Sequence, residues 1–594
     1  MAYNNNNNKN GHGKPGNHGN RRQNGQGQGN PGSPKPKVFT KIIKSPYNFV
    51  PLNKQVYIPD WWDKVSLDIP FEDGIDGSIV VTWKNISPLF IRDASVGNGK
   101  FSMHIADQNG TRRYFIPGAS LKGMLRSVIS ILSFGKMEQY ENQYFGHRDF
   151  NTKISEGKNY AKNMKNVKFG WLEKQPDETF VLYPCKGEYR KIKISEVTEI
   201  FGDDYSSSDN VWETNNRLGD GNTLFPYIYF EDDDDDTEYR LFCTGYIDGK
   251  NHELLIPADT KKGIALNDKI IESFLTVYAP TPGFENFVSY LDEGERIPVS
   301  FIYTPERGTE KNIAIGMGRM LRYPYKQDIN TLVNNEQDIP QKGYDLCETM
   351  FGQIDNQDNQ NSLKGRVQIG NAMMQGTVSD KELLSEVKGV LGEPKASFYP
   401  LYLKQDARNK YLTYEDANGI AGRKRYRIHQ GGTVVNLPQG KDNSNVITRF
   451  RPIPRNQTFK MRINIHNLKP VELGALLLAI KLKQGAFHNI GMAKAYGYGK
   501  LISENIELNL RGEEQHSVDD YINLFKSTME AFTNNKWSNS DVITSLLGIM
   551  GEHSNDEMFV NESGTYRVMS LDEYKEFKKN SNFSKLTEKA NGKL

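Results

Sequence analysis

Residues able to bind phosphate are concentrated at the start of one predicted helix. The stretch runs Phe115-Ile-Pro-Gly-Ala-Ser-Leu-Lys-Gly-Met-Leu-Arg126, with a Pro-Gly turn after an apolar strand end. Ser120 is the predicted N-cap, and Lys122 and Arg126 share one helix face beside amide N–H groups that lack intrahelical partners. A helix start of this kind can bind a phosphate; the alternative is that both cations are simply solvated. Apolar residues at three- and four-residue steps carry the helix to about residue 134: Leu121, Leu125, Val128, Ile129 and Leu132.

A second candidate element is the glycine-rich run Gly485-Ala-Phe-His-Asn-Ile-Gly-Met-Ala-Lys-Ala-Tyr-Gly-Tyr-Gly-Lys500, which follows a predicted helix from Pro470 to Lys483. Its glycines, 485, 491, 497 and 499, permit backbone conformations closed to other residues and let a ligand backbone approach closely. Charged and aromatic residues between them suit phosphates and bases: His488, Lys494, Tyr496, Tyr498 and Lys500. Two such elements, each beside a helix and each carrying lysine, favour nucleic-acid binding more than either would alone.

Two further basic stretches fit the same chemistry. Arg319 and Arg322 lie in Gly316-Met-Gly-Arg-Met-Leu-Arg-Tyr-Pro-Tyr325, where arginine and tyrosine together suit single-stranded nucleic acid through phosphate pairing and base stacking. The alternative for this stretch is an ordinary amphipathic surface. Gly422-Arg-Lys-Arg-Tyr-Arg427 is the densest basic run in the chain and contains three more candidates: Arg423, Lys424 and Arg425.

Charge is unevenly distributed along the 594 residues, although the formal net charge is only +2. Residues 1–45 hold lysines and arginines but no acid, set among Asn, Gly and Gln. This composition predicts a disordered basic tail, which either solubilises the protein passively or attracts nucleic acid weakly. Acidic residues are gathered in the run Glu231-Asp-Asp-Asp-Asp-Asp236, which we interpret as a solvated loop rather than a metal site.

The cysteines and the apolar runs indicate the cellular compartment of the protein. Cys185, Cys243 and Cys347 are widely spaced and odd in number, which argues against a disulfide framework and against a cysteine-based zinc site. The N-terminus has no apolar signal core, and no apolar run is long enough to span a bilayer. The sequence therefore predicts a cytoplasmic protein with no metal, no cofactor and no membrane partner.

The predicted elements follow the order β-α-β-β-α-β, which is the ferredoxin-like order. They are a strand at 77–91, a helix at 118–134, strands at 363–371 and 458–467, a helix at 470–483 and a strand at 500–508. A hairpin from Lys100 to Tyr114, turning at Asn109-Gly110, is expected before the first helix. We predict an α+β protein with these segments: a tail at 1–45, a first part of the core at 46–137, an insertion at 138–340, a second part of the core at 341–510 and a helical C-terminal region at 511–594.

Four motifs within this core occur in a recognisable order. They run from Phe115 to Ser127, from Met350 to Gly352, from Lys364 to Ala372 and from Ile490 to Lys500. Together they resemble the repeat-associated mysterious protein (RAMP) superfamily of CRISPR systems, with the closest resemblance to backbone and cap subunits of type III effector complexes. The opening Pro46-Tyr-Asn-Phe-Val-Pro-Leu52 is similar to one large-subunit branch. The resemblance covers about 46–134 and 345–505 and leaves out the insertion and both tails.

The resemblance implies a modified RNA-recognition fold that holds CRISPR guide RNA in an antiviral ribonucleoprotein. Its partners would be the guide, complementary target RNA through the guide, and other effector subunits. Four residues of the first element would contact the guide backbone: Gly118, Ser120, Lys122 and Arg126. Five residues of the second element would pack beside them: Gly491, Lys494, Tyr496, Gly497 and Gly499. Arg366 would support the sheet rather than touch RNA.

Some backbone subunits of this superfamily cut target RNA with an aspartate between the first strand and the Pro-Gly turn. At the matching position this sequence has Phe101 and Ser102, and the nearest acids, Asp93 and Asp107, are each displaced by several residues. The resemblance therefore implies a non-catalytic subunit. Asp93 is the residue that a slip of one loop in the alignment would restore to the catalytic role.

Two other functions stay open. The first is an endoribonuclease of the same superfamily, either a metal-dependent enzyme that cuts target RNA or a metal-independent one that processes the guide. The metal-independent reaction needs a general base and acid, for which His104, His488 and Tyr496 are the candidates. The second is a structural adaptor that joins other subunits through the insertion and the C-terminal helices.

Overall fold

Alternating apolar and polar residues build the central strand of the largest sheet. In the strand Thr458–Leu468, Phe459, Met461, Ile463 and Ile465 are buried while the residues between them are exposed. This period of two is the pattern of a strand with one face on the core and one face in water. The prediction of a strand at 458–467 is confirmed.

The structure is a computed structural model, and it describes the following residues: 41–43, 46–95, 99–106, 111–147, 160, 162–207, 209–219, 224–228, 237–247, 249–304, 312–354, 362–391, 396–405, 412–429, 447–512, 516–553 and 583–585. Several predictions fall outside these ranges. They concern the basic tail apart from 41–43, the turn at Asn109-Gly110, the acid Asp107, the acidic run at 231–236 and, apart from 583–585, the helical C-terminal region beyond residue 553.

The largest sheet is antiparallel and contains eight strands. In chain order they are β1 (Ile75–Asn85), β2 (His104–Ala106), β3 (Arg112–Ile116), β4 (Val367–Ile369), β5 (Ala372–Met374), β6 (Thr458–Leu468), β7 (His488–Asn489) and β8 (Lys500–Leu510). The spatial order is β7-β8-β1-β6-β5-β3-β2, and β4 also pairs with β6. The four strands predicted for the core thus lie side by side in the order fourth, first, third, second.

Helices cover the buried face of this sheet. They are α1 (Gly118–Leu132), α2 (Leu346–Phe351), α3 (Pro470–Lys481), α4 (Val518–Phe532) and α5 (Asp541–Met550). Almost every residue of α3 is buried, because α4 lies so close on one side that a Cβ at Gly474 would be 2.0 Å from the Tyr521 carbonyl oxygen. In the ranges described, no helix is both long enough and apolar enough to cross a membrane.

Residues between about 144 and 321 form hydrophobic cores of their own. A five-stranded sheet has the spatial order Ile264–Leu266, Phe180–Pro184, Lys168–Lys174, Ile297–Thr304 and Asn312–Gly316. A four-stranded sheet has the order Tyr227–Ile228, Tyr239–Phe242, His252–Pro257 and Arg190–Lys193. Four helices accompany them: Ile194–Phe201, Val211–Leu218, Asp268–Tyr278 and Phe284–Asp292. The described residues all belong to one compact unit, Phe39–Leu594, so the fold is a mixed α/β arrangement of several antiparallel sheets.

The structure also contains short strand pairs and two further short α-helices. The antiparallel pairs are Tyr47–Val50 with Arg423–Tyr426, Gly352–Gln353 with Leu363–Lys364, Val387–Val390 with Ile447–Phe450, and Gly146–His147 with Tyr323–Pro324. The parallel pairs are Ile428–His429 with Glu552–His553 and Lys41–Ile43 with Phe583–Lys585. The helices are Ile329–Glu336 and Tyr399–Tyr402.

The prediction of Ser120 as the N-cap is wrong. The helix α1 begins at Gly118 with Pro117 in the cap position and no side-chain cap. The Gly118 N–H instead donates to the side-chain oxygen of Asn371 at 2.8 Å, so a residue from another element satisfies a donor that the helix leaves open. Ser120 lies inside the first turn.

Two predicted strands are shorter than expected. The strand predicted at 77–91 ends at Asn85 in β1. The strand predicted at 363–371 is split into Leu363–Lys364 and β4, because the chain turns inward between them and buries Arg366. That side chain forms an ion pair with Glu472 and donates to the carbonyl oxygens of Thr349, at 3.0 Å, and Asn467. Arg366 therefore ties the sheet to α2 and α3, as expected from the sequence.

Candidate nucleic-acid interface

At the start of α1, Lys122 and Arg126 lie on the helix as predicted, but the first amide N–H is hydrogen-bonded within the protein. A Cβ at Gly118 would be 2.2 Å from the Ile369 carbonyl oxygen, so only glycine fits between the helix and the neighbouring chain. Because Asn371 already accepts the Gly118 N–H, this amide is not available to a phosphate. The binding capacity of α1 must come from its side chains.

Lys122 and Arg126 lie half-buried on the face of α1 that borders a cavity of about 540 Å³, the α1 cavity. The Lys122 ammonium lies 5.8 Å from the ring centre of Phe351, and Arg126 donates to the Gly352 carbonyl oxygen at 3.3 Å. The cavity also contacts polar and charged side chains from the short strand pair at 352–364, among them Gln353 and Lys364. Its walls therefore combine cations, an aromatic ring and an amide.

The glycine-rich run folds against itself rather than forming an open cradle. Gly491, Gly497 and Gly499 have φ values of +82°, +85° and +78°, which favour glycine. A Cβ at Gly499 would be 1.8 Å from the Ile490 carbonyl oxygen, and one at Gly491 would be 2.4 Å from that of Phe90. The close approach that the sequence suggested for a ligand backbone is made here by the protein's own backbone.

The rings of this run are buried. Tyr496 is 3% exposed and Tyr498 is 1% exposed, and both pack with Phe90, Phe450 and Ala493. Burial raises the pKa of Tyr496 to about 12. These rings support the loop from inside, which corrects the expectation that they face bases.

His488 and Lys500 are also turned inward. His488 is fully buried with its ring centre 5.4 Å from that of Trp83, and burial, followed by the charge of Arg425, lowers its pKa to about 3. It is therefore neutral near pH 7 and has no positive charge for a phosphate. Lys500 is 4% exposed, forms an ion pair with Glu552 and lies 3.9 Å from the ring centre of Phe487. Its charge stabilises a protein contact, contrary to the sequence expectation.

The strand Arg423–Tyr426 brings basic side chains to both predicted elements. Arg425 donates to the hydroxyl of Ser127, on α1, at 3.0 Å. The charge of Arg425 also lowers the pKa of Lys494 in the glycine-rich run, after the larger effect of burial. Arg423 differs from its neighbours, because it donates to the carbonyl oxygens of Gly135 and Lys136 at 2.9 and 2.7 Å and so serves the fold.

Lys424 is surrounded by tyrosine rings. Its ammonium lies 4.0 Å from the ring centre of Tyr47, 5.2 Å from that of Tyr426 and 5.7 Å from that of Tyr402. Lys494 lies 5.5 Å from the ring centre of Tyr426 and donates to the Gly491 carbonyl oxygen at 2.6 Å. We call Lys424, Lys494, Tyr47, Tyr402 and Tyr426 the lysine–tyrosine patch.

The lysine–tyrosine patch concentrates positive charge without a described counterion. Burial, and then the charge of Lys494, lowers the pKa of Lys424 to about 8. Burial alone lowers the pKa of Arg425 to about 10. Among the described residues, no carboxylate comes within ion-pair distance of Lys424, Arg425 or Lys494. An anionic ligand would relieve this repulsion.

Sequence reasoning missed Tyr47 and Tyr402. Tyr47 pairs with Tyr426 across the strands Tyr47–Val50 and Arg423–Tyr426, although the two residues are far apart in sequence. The available signal was the family-like opening at 46–52, whose aromatic residues needed a partner strand. Arg319 and Arg322 are exposed beside the five-stranded sheet, and no described contact joins them to the lysine–tyrosine patch.

Asp93 and His104, two predicted candidates for catalysis, lie close together. The nearest distance from the Asp93 carboxylate to His104 Nδ1 is 4.0 Å, and the side chains are only 9% and 5% exposed. Asp93 accepts from the Ser95 hydroxyl at 2.6 Å, and His104 Nδ1 bonds to the Ser102 carbonyl oxygen at 2.8 Å. Because a carbonyl only accepts, Nδ1 carries the proton. In the part of the chain that is described, no three His, Cys, Asp or Glu side chains form a group that could hold a metal ion.

Comparison with known proteins matches residues 83–502 to the model of the RAMP superfamily. Among curated proteins, none matches the chain in sequence. The chain has 10% identity and a TM-score of 0.23 to "CRISPR RNA-guided surveillance complex, pre-nicking", over 77% of this chain and 89% of that one. It has 11% identity and a TM-score of 0.17 to the "Type III-B Cmr-beta bound to cognate target RNA", over 75% of this chain and 99% of that one.

Proposed function

The chain belongs to the RAMP superfamily, and from that premise we propose that it binds CRISPR guide RNA as a non-catalytic subunit of a type III-like effector ribonucleoprotein. Its other partners are complementary target RNA, held through the guide, and neighbouring effector subunits. The proposal rests on the family and on the charges of the described residues. The predicted contacts of Ser120, Lys122 and Arg126 with the guide are part of it, whereas Gly118 is left out because its N–H already donates to Asn371.

A ferredoxin-like core is part of the proposal. The strands β8, β1, β6 and β4 are neighbours in that order within one antiparallel sheet. Along the chain, helix α1 lies between β1 and β4, and helix α3 lies between β6 and β8. This arrangement supports a core of the β-α-β-β-α-β type, which is also the scaffold of common RNA-binding modules.

One observation carries the RNA-binding proposal. The basic strand Arg423–Tyr426 contacts α1 through the hydrogen bond of Arg425 to Ser127. It also lies against the glycine-rich run, because the Tyr426 ring is close to the Lys494 ammonium and the charge of Lys494 lowers the pKa of Lys424. Cations that lack a described counterion, set among tyrosine rings, match a single-stranded RNA that presents phosphates and bases together. A surface held only for stability would pair its charges instead, as Arg366 and Lys500 do.

The salt dependence of RNA binding tests the proposal. The full-length protein is titrated with a fluorescent single-stranded guide RNA over a series of KCl concentrations. If about six phosphates are neutralised, log affinity should fall with log salt at a slope of about −4. A slope near zero would refute binding through phosphates.

The proximity of Asp93 and His104 favours an endoribonuclease as the second candidate function. With the proton on Nδ1, His104 keeps Nε2 as a base, and Asp93 is near enough to stabilise the imidazolium. Against this, both side chains are almost completely buried, so a substrate cannot reach them in this conformation. The burial makes the non-catalytic assignment the stronger one.

A cleavage assay separates these two functions. Wild type, Asp93→Ala and His104→Ala are each loaded with guide and given complementary RNA, with and without divalent metal. The matched control is His466→Ala, because His466 is another histidine beside an aspartate, with Nδ1 2.7 Å from the Asp76 carboxylate. We expect no cutting by any of the four proteins. Cutting by wild type that disappears in Asp93→Ala, but not in His466→Ala, would establish the enzyme.

A further inference from the structure

The α1 cavity has features that a phosphate site does not need. Its volume of about 540 Å³ lies in the range of small-molecule sites, and it is much larger than a phosphate requires. Phe351 lies on its wall and Ile354, an apolar residue that is 80% exposed, lies at its border. A purely electrostatic contact uses neither residue, so the cavity is shaped for a ligand that also has an apolar part.

Polar groups are gathered on the walls. Lys122, Arg126 and Lys364 supply positive charge, while Glu348 and Gln353 supply hydrogen-bonding groups. The side-chain oxygen of Gln353 is buried and has no hydrogen-bond partner in the described part of the chain. An unpaired buried acceptor is costly unless a ligand supplies a donor.

Glu348 is held in place by neighbours outside the cavity. One of its carboxylate oxygens accepts from the Asp345 backbone N–H at 2.8 Å and lies 3.1 Å from the Lys136 ammonium. Glu348 also lines the cavity, and its second oxygen makes no hydrogen bond to a described residue. Burial, and then the charge of Asp345, raises the pKa of Glu348 to about 7. The Gln353 oxygen and the ionised form of Glu348 are both acceptors, which selects a ligand with hydrogen-bond donors on its edge.

We infer that the α1 cavity binds one nucleotide, with its phosphate at Lys122 and Lys364 and its base between Phe351 and Ile354, read by Gln353 and Glu348. The inference rests on the proposed function, because the nucleotide is expected to be one residue of the bound RNA. It adds base preference to the proposed phosphate contacts and ring stacking of the lysine–tyrosine patch, neither of which distinguishes bases. Adenine, cytosine and guanine each have an exocyclic amino group that donates to these acceptors, whereas uracil has two carbonyl groups and no amino group.

The test measures base preference in the full-length protein. Fluorescent oligo-A, oligo-C and oligo-U of equal length are titrated into wild type, Gln353→Ala, Lys364→Ala and the control Lys269→Ala. Lys269 is an exposed cation on the helix Asp268–Tyr278, outside the cavity. In wild type, oligo-A and oligo-C should bind about fivefold more tightly than oligo-U, which is the size of one hydrogen bond. These variants avoid Phe351, which is buried in the core.

Each variant has its own expected result. Gln353→Ala should lose the preference for oligo-A and oligo-C while its affinity for oligo-U stays the same. Lys364→Ala should weaken all three RNAs equally, since a phosphate contact carries no direct base information. The control should resemble wild type. A preference that survives in Gln353→Ala, while RNA binding keeps its salt dependence, would overturn the nucleotide site and leave the proposed function standing.

Two measurements with AMP, direct binding and competition with oligo-A, distinguish a free nucleotide from a residue of bound RNA. If AMP competes with oligo-A in wild type but not in Gln353→Ala, a free or terminal nucleotide is an occupant and the site is supported. If no RNA binds to wild type but AMP does, the proposed function fails and the nucleotide site stands. If neither RNA nor AMP binds, both proposals fail.

Discussion

The α1 helix and the glycine-rich run at 485–500 look alike in sequence but differ in what they offer to a ligand. In α1, Lys122 and Arg126 line an open cavity. In the glycine-rich run, Lys500, Tyr496 and Tyr498 are buried. A lysine beside a glycine thus lines a cavity wall in α1, whereas in the glycine-rich run Lys500 is packed inside the protein.

The difference has a physical cause. The glycines of the run let the chain fold onto the carbonyl groups of Phe90 and Ile490, and this tight turn directs the aromatic rings into a small core. A regular helix such as α1 cannot fold onto itself, so its polar face must look outward or onto another element. Composition therefore predicts the capacity for binding, and backbone conformation decides whether that capacity is used.

The largest expected effect is that of a side chain at Gly499. With φ at +78° and a Cβ that would be 1.8 Å from the Ile490 carbonyl oxygen, Gly499→Ala should destabilise the protein by about 3–5 kcal/mol through backbone strain and overpacking. Thermal unfolding followed by circular dichroism would measure the loss, together with RNA retention. An unchanged unfolding temperature with lost RNA binding would mean that this glycine faces the ligand after all.

Removing charge from the lysine–tyrosine patch should give the next largest effect. Lys424→Ala combined with Lys494→Ala should lower RNA affinity about tenfold to a hundredfold at low salt. It should also make the salt slope less steep by about 1.4, the contribution of two phosphates. Lys500→Met is the contrast, because Lys500 is buried and paired with Glu552.

Titration of both variants with RNA over a salt series checks this contrast. Lys500→Met should lower stability but leave the salt slope of the remaining folded protein unchanged. An equal change of slope in both variants would show that Lys500 also contacts phosphate.

Local periodicity predicted the elements whose pattern is contained within a single segment of the chain. The strand β6 and the helices α1 and α3 were found within two or three residues of their expected ends, since alternation and three- to four-residue spacing are properties of one segment. The hairpin before α1 is present as the antiparallel pair of β2 and β3. Each of these predictions rests on one segment or on two adjacent segments, and none requires knowledge of contacts between distant residues.

Contacts between distant residues could not be predicted in the same way. Asn371 satisfies the first amide of α1 from 253 positions away, so the local pattern made Ser120 look like the cap. The rings around Lys424 come from Tyr47 and Tyr402, which no local pattern connects to the basic run. Candidate charges were visible in the sequence, but which of them are buried or paired was decided by tertiary packing.

A pH series would sharpen the comparison by detecting the crowded lysines. Burial and the charge of Lys494 lower the pKa of Lys424 to about 8, and a bound phosphate would raise it again. RNA binding therefore takes up a proton above about pH 8, so affinity should fall as the pH rises from 7 to 9, by about tenfold in total. Groups facing Lys424 are Lys494 and the rings of Tyr47, Tyr402 and Tyr426.

The variant Lys424→Arg is the control for this pH effect, because arginine stays protonated over that range. Its affinity should fall much less between pH 7 and 9. Affinity that falls equally in wild type and in Lys424→Arg would place the titrating group elsewhere.

The smallest expected effect concerns Gly123, between the two cations of α1. A Cβ there would meet nothing within 4 Å, so nothing in the described protein requires glycine, and an interior helical glycine costs about 0.5–1 kcal/mol relative to alanine. Gly123→Ala should therefore raise the unfolding temperature slightly. If RNA approaches this face, the added methyl group should also weaken binding, but less than removal of the patch lysines.

The matched control for Gly123 is Gly474→Ala in α3. There the added Cβ would be 2.0 Å from the Tyr521 carbonyl oxygen, so stability should fall, because the helices α3 and α4 would have to separate. Opposite shifts of unfolding temperature in these two helical glycines would show that the open face of α1 is unoccupied by protein. A Gly123→Ala protein that is more stable and binds RNA as wild type does would place the guide contact away from this face, and leave the lysine–tyrosine patch as the principal RNA surface.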